Sequence, residues 1–136
     1  MSIEFRTSDI LHFEKYCFTD SDNPTYARHY ALVLLPPAVM NYSNNLLCAV
    51  ITSKKTKYFA LKLLKSKYSF FNVDSYVCFR RRDINPLTGL SNKKQPVGKL
   101  DQIDIERAFK IIKRIYNYTS DVYLMATVVR EWKKIL

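Results

Sequence analysis

Glycine is nearly missing from this 136-residue chain, which holds only Gly89 and Gly98. That excludes a glycine-rich phosphate loop and a dinucleotide fingerprint. Both need several glycines so that backbone N–H groups can close on a phosphate. Histidine is as scarce: there are two, His12 and His29. Neither stands at a spacing from Cys or a carboxylate that would hold a metal, so neither a metal nor a cofactor is expected. The three cysteines, Cys17, Cys48 and Cys78, are odd in number and far apart. They form no CxxC or CxxH pair and read as small core residues in a reducing cytosol. No apolar run approaches the roughly 20 residues that a membrane span needs, so no membrane association is expected. The opening segment MSIEFRTSDI lacks the basic-then-apolar order of a secretory signal, and a cytoplasmic location is expected. A GxSxG nucleophile elbow is also missing.

Acidic residues are the other shortage. Twelve Asp and Glu face 22 Lys and Arg, leaving a formal charge of +10. A small domain of that charge attracts polyanions: nucleic acid, an anionic surface or an acidic protein segment. Charge kept for solubility alone is the plainer alternative, but the cations are clustered. Lys54, Lys55, Lys57, Lys62, Lys65 and Lys67 share one segment, Arg80, Arg81 and Arg82 a second, and Lys93, Lys94 and Lys99 a third.

What is plentiful is apolar and aromatic material, 48% and 14% of the chain. That is enough for the core of a single domain over residues 1–136. Residues 9–18 alternate as a first strand, and 19–28 read as a polar loop around Pro24. YALVLLP (30–36), LLCAVIT (46–52) and YFALKLL (58–64) read as strands, the first two as buried ones; DSYVCF (74–79) is a further strand. RRRDINPLTGLSNKKQP is a basic loop, or one folded around another short strand. The period then changes. Ile105, Phe109, Ile112 and Tyr116, widened by Ala108, Ile111 and Ile115, predict a helix with Asp101 as N-cap. Val122, Met125, Val129 and Trp132 predict a second helix starting at Thr119 or Ser120, a C-terminal extension over about 118–136. The expected fold is α+β, mainly β: a small barrel or strongly curved sheet with one or two C-terminal helices. The helical stripes look wider than one small barrel can cover, which favours a homodimer.

The residues left for chemistry are Arg, Thr or Ser, Asp and His. That set suits phosphodiester cleavage without a metal. Arg stabilises a pentacovalent phosphorane by paired hydrogen bonds, a carboxylate or imidazole moves the proton, and RNA supplies its own 2′-hydroxyl nucleophile.

At several points the chain resembles the MazF/PemK-type toxins of toxin–antitoxin systems. SDILHF resembles their opening G-D-I strand, with Ser8 where glycine is usual. RHYALVL resembles the R-P-hydrophobic element, and AVITSK the apolar strand ending in a functional Thr. FFNVDSYVCF resembles a later strand, and VGKLDQIDIERAFKII the closing G-x-L element with its helix. These fragments cover about residues 8–116 in order, leaving 118–136 beyond them.

The resemblance implies an SH3-like curved sheet, a homodimer and metal-independent cleavage of single-stranded RNA leaving a 2′,3′-cyclic phosphate. It also implies a cognate acidic antitoxin as partner. Carried over residue by residue, the catalytic set is Arg28, His29, Thr52 and Asp74. Either Arg28 fills the family's arginine position across a one-residue insertion, or His29 acts there. Ser53, Lys54, Lys55, Ser75, Arg80, Arg81 and Arg82 are the expected RNA contacts. Each has a plainer reading beside it: Arg28 as a solvated charge, His29 as structural, Thr52 and Ser53 as turn formers, Asp74 and Ser75 as the turn into a strand. The alternative function is a non-catalytic SH3-like module that binds nucleic acid or protein.

Overall fold

The computed structural model describes residues 5–18, 25–36, 46–55, 58–80, 83–87, 95–116 and 122–136. In chain order the elements are β1 (Asp9–Phe18), β2 (Thr25–Leu35), β3 (Leu46–Thr52), β4 (Ala60–Leu63), β5 (Ser75–Cys78), β6 (Ile84–Leu87), β7 (Gly98–Lys99), α1 (Gln102–Tyr116) and α2 (Val122–Lys133). All strand pairings are antiparallel. The order is β4-β5-β3-β2-β1-β7, with β6 also on β3. The result is a mainly-β curled half-barrel followed by two C-terminal helices.

β3 explains the curl. One of its edges pairs along β2. The other pairs first with β6, through Leu46↔Leu87 to Ala49↔Ile84, and then with β5, through Ile51↔Val77 and Thr52↔Tyr76. With neighbours on both edges and cover on both faces, β3 is buried from Leu46 to Ile51, and its sequence is accordingly apolar without alternation. Leu47, Ala49 and Ile51 join the main core under the helices. Leu46, Cys48 and Val50 join a second cluster on the other face, with Phe5, Leu11, Phe13, Ala31, Val33 and Cys78. Each such fully buried aliphatic side chain contributes about 1.5–3 kcal/mol. Cys48 and Cys78 are unbonded, and burial pushes the Cys48 thiol well above its ordinary range, so it stays neutral.

β2 starts at Thr25, inside the segment that the sequence reads as loop. The reason is β1, which runs long enough to pair Phe18 with Thr25. Opposite Arg28, β1 carries an extra residue, a bulge between Phe13 and Tyr16. The basic loop after β5 does hold a short strand, β6. Its Pro86 costs no central ladder bond, because β6 lies at an edge.

Both helices form where the apolar period changes to 3.6. Asp101 caps α1, its Oδ1 accepting the Asp104 N–H at 2.9 Å. Ile105, Ala108, Phe109, Ile112 and Ile115 of α1 are buried, as are Met125, Val128 and Trp132 of α2. The buried residues of both stripes pack within one chain. The proposed start of α2 at Thr119 or Ser120 lies outside the described residues. Among the described residues, no helix is long and apolar enough to cross a membrane.

The connector between β4 and β5 is latched to the start of α1. Asp104, 1% exposed, accepts the Tyr68 hydroxyl at 2.6 Å and Arg107 Nη1 at 2.8 Å, with Lys67 Nζ at 3.3 Å. Lys67 also pairs with Asp101. A buried carboxylate is tolerated because both its oxygens are engaged.

A polar row across the end of the sheet

Antiparallel pairing puts directly opposite residues on the same face. The register therefore fixes which side chains share the surface where β3 ends. Phe13 faces His29. Tyr30 faces Ile51, so one step further His29 stands opposite Thr52. Thr52 faces Tyr76, and Tyr76 faces Lys62. Five strands thus contribute one residue each to a transverse row: Phe13, His29, Thr52, Tyr76 and Lys62. The row lies on the face of the second apolar cluster, beyond Val50, Cys48 and Cys78, where the core gives way to solvent.

His29 is held by a hydrogen bond from Nδ1 to the Ile51 carbonyl, 3.1 Å. A carbonyl only accepts, so the neutral imidazole carries its proton on Nδ1 and its lone pair on Nε2. Thr52 is half-buried, and its Oγ1 accepts the Lys54 N–H at 3.2 Å. That bond shapes the bend after β3 and leaves the hydroxyl proton of Thr52 to donate. Ser53, Lys54 and Lys55 are exposed in this bend.

Asp74 lies two residues before Tyr76 and on the same face. Its Oδ1 accepts the Lys65 N–H at 2.8 Å, and its Oδ2 lies 3.9 Å from Lys62 Nζ. Both oxygens are engaged in holding the β4–β5 connector. Ser75 has the opposite parity: it is buried, and its hydroxyl donates to the Val73 carbonyl at 3.1 Å. Arg80 lies past the far end of β5. Its Nε donates to Asp83 Oδ2 at 2.8 Å, closing a local turn, and this bonding with Asp83 raises the guanidinium above its ordinary value. The backbone of Arg28 is in β2, beside His29, while its side chain, with Arg81 and Arg82, lies outside the described residues.

Of the expected set, the register brings together His29, Thr52 and Asp74, with Ser53, Lys54 and Lys55 at the strand end. It separates Ser75 and Arg80 from them. Two polar members of the row, Tyr76 and Lys62, were not among the expected site residues. The signal for them is period 2: in DSYVC, Asp74 and Tyr76 alternate with buried Ser75 and Val77, and in ALKL, Lys62 is flanked by buried Leu61 and Leu63. With Lys54, Lys55 and Lys62 against one carboxylate, the local field is positive. A field of that sign attracts anions, and a hydroxyl donor and an imidazole lie in the same row. Among the described residues, no three His, Cys, Asp or Glu side chains converge on one point. No family model matches the chain, and no curated protein matches it.

Proposed function

We propose that the chain is a sequence-selective endoribonuclease of the MazF/PemK type, the toxin of a toxin–antitoxin pair, cleaving single-stranded RNA by attack of its own 2′-hydroxyl. The observation that carries this reading is the transverse row, in which the register sets His29 of β2 across from Thr52 at the end of β3 on a basic surface. The two glycine positions of the resemblance also support it. Ser8 stands where the family has glycine, and its φ is +78°, a region that favours glycine. At Gly98, of the G-x-L element, a Cβ would meet Phe70 Cε1 at 2.7 Å.

In this reading a scissile phosphate lies along the row. Thr52 donates its hydroxyl to a non-bridging oxygen, and Lys54 and Lys55 neutralise flanking phosphates. His29 Nε2 takes the 2′-hydroxyl proton or returns one to the 5′-oxygen leaving group. The cationic donor for the charge that builds on phosphorus is Arg28, taken from the resemblance and not from the register, since neighbouring residues of a strand face opposite ways. Asp74, engaged with Lys62 and Lys65, positions Lys62 rather than moving a proton. A homodimer and an acidic antitoxin that covers the basic surface complete the proposal, resting on the resemblance.

A second reading has its own observation. The His29 and Asp74 bonds are both ones that a structural residue would make, so a half-barrel that binds RNA without cutting it fits the same geometry. One experiment separates the two. The protein is incubated with mixed-sequence RNA in EDTA, and the ends are mapped. Cyclic 2′,3′-phosphate and 5′-hydroxyl ends at a recurring short sequence support the nuclease. Retention of intact RNA supports the binder.

A further inference from the structure

The bend between β3 and β4 holds two adjacent aromatic residues with opposite fates. Phe59 has a φ of +49°, which a bulky non-glycine residue rarely adopts. Its ring packs partly against the main core and lies under Arg114 of α1, with the guanidinium carbon 5.8 Å from the ring centroid. Tyr58, one residue earlier, is 74% exposed, more than any other large hydrophobic residue described. The left-handed turn at Phe59 sends one ring inward and leaves the other in water. Exposure of a lone tyrosine is ordinary. Its surroundings here are not: Lys54 and Lys55 are exposed in the same bend, and Arg114 stands over the adjoining residue.

An exposed ring in a bend that also carries exposed cations is what single-stranded nucleic acid requires. Every base has a flat face to stack, and every nucleotide has a phosphate to neutralise. An acidic peptide would use the cations but would gain little from a flat ring. We infer that Tyr58 is a stacking platform for a base of single-stranded RNA, with Lys54 and Lys55 of the same bend taking neighbouring phosphates. The inference rests on the RNA reading above and deepens it. The bend starts at Thr52, so the platform engages a nucleotide next to the row rather than at the scissile bond. It contributes affinity and register without touching the reacting atoms.

The test uses a fluorescent RNA oligonucleotide with 2′-O-methyl riboses throughout, which binds without being cut, and reads anisotropy across a salt series. Tyr58→Ala should weaken binding about 5- to 150-fold, the range for loss of one base stack, and leave the slope of affinity against salt unchanged, because no charge is lost. Tyr58→Phe should bind within about twofold of wild type, because the ring and not the hydroxyl stacks. The pair Lys54→Gln and Lys55→Gln should flatten the salt slope by about 1.4, at ~0.7 for each phosphate contact on a single strand. Circular dichroism should be unchanged for the Tyr58 variants, since the side chain is in solvent. If the wild type binds the RNA and Tyr58→Ala binds it equally well, the platform falls and the RNA reading stands. Tyr58→Phe as weak as Tyr58→Ala overturns stacking in favour of a hydroxyl contact. Equal loss of affinity for a polyglutamate peptide overturns it in favour of an acidic protein segment. If the wild type binds no RNA, the platform falls together with the reading that it rests on.

Discussion

The indole Nε1–H of Trp132 donates to the carbonyl of Leu34 at 3.1 Å, joining residues 98 positions apart. Leu34 is the extra residue where the β2–β3 register shifts between Val33 and Leu35. A bulge takes a backbone group out of the ladder, and here the last helix satisfies it. Trp132 is fully buried, so this bond and the packing around the ring fasten α2 to the sheet. Trp132→Phe should cost about 1–3 kcal/mol, because the buried carbonyl loses its donor. Trp132→Ala should cost about 3–5 kcal/mol, because a cavity is added. Urea unfolding measures both, and hydrogen exchange should show α2 opening first in each.

The positive φ of Ser8 and the tight seat of Gly98 make an opposed pair. Ser8→Gly removes a left-handed penalty of about 1–2 kcal/mol, partly offset by the entropy of glycine. A net gain of about 0.5–1 kcal/mol is expected, raising the melting temperature. Gly98→Ala drives a methyl against Phe70, at 2.7 Å from Cε1, and should cost about 1–3 kcal/mol. Thermal melts of both variants check the pair. A destabilised Ser8→Gly would mean that the serine hydroxyl matters more than the backbone.

Catalytic substitutions should separate by chemistry. Arg28→Ala removes a cationic donor and should slow cleavage by a few hundredfold, equivalent to about 3–4 kcal/mol in the barrier. Thr52→Ala removes one neutral hydrogen bond and should cost about 10- to 100-fold. His29→Ala should lower the rate, because the row loses its imidazole. Asp74→Asn should do less, since its oxygens already serve Lys62 and Lys65. Initial rates on one defined RNA give the ranking. Wild-type rates from both Arg28→Ala and His29→Ala would sink the catalytic assignment.

Two aspartates should respond to pH with opposite signs. At Asp101 burial acts upward on the carboxyl, but the Lys67 bond and the Asp104 N–H together hold it below its ordinary value of 3.8. Stability from a lowered carboxylate is complete above the unfolded value and lost as pH falls through the folded one. Asp101→Asn keeps the helix cap and removes the titration. It should therefore lose less stability than wild type between about pH 5 and pH 2. Asp9 is the reverse. Burial pushes its carboxyl above 3.8, against the Arg6 N–H bond and the charges of Arg6 and Lys99. Its ionised form is disfavoured in the fold, so a penalty grows as pH rises through the folded value. Asp9→Asn, whose amide oxygen still accepts the Arg6 N–H, should match wild type near about pH 3 and exceed it near about pH 7. Urea midpoints across pH measure both.

What the sequence by itself determined is local. The span of β1, the ends of β3, the Asp101 cap and the stripes of α1 and α2 follow from period, capping chemistry and apolar runs, which act within a few residues. The clustering of cations, and a strand ending in Thr-Ser-Lys-Lys, follow from composition at the same range. The tertiary structure decided what depends on pairing between distant segments. That β2 begins at Thr25 is settled by the length of β1 opposite it. That Asp74 shares a face with Thr52 while Ser75 does not is settled by strand parity, because one residue of register exchanges the two faces. That Arg80 belongs to a turn with Asp83, and that Tyr76 and Lys62 complete the row, are settled by which edge of β3 each strand takes. Those choices are made by burial summed over the whole sheet, and no single stretch of the chain carries them.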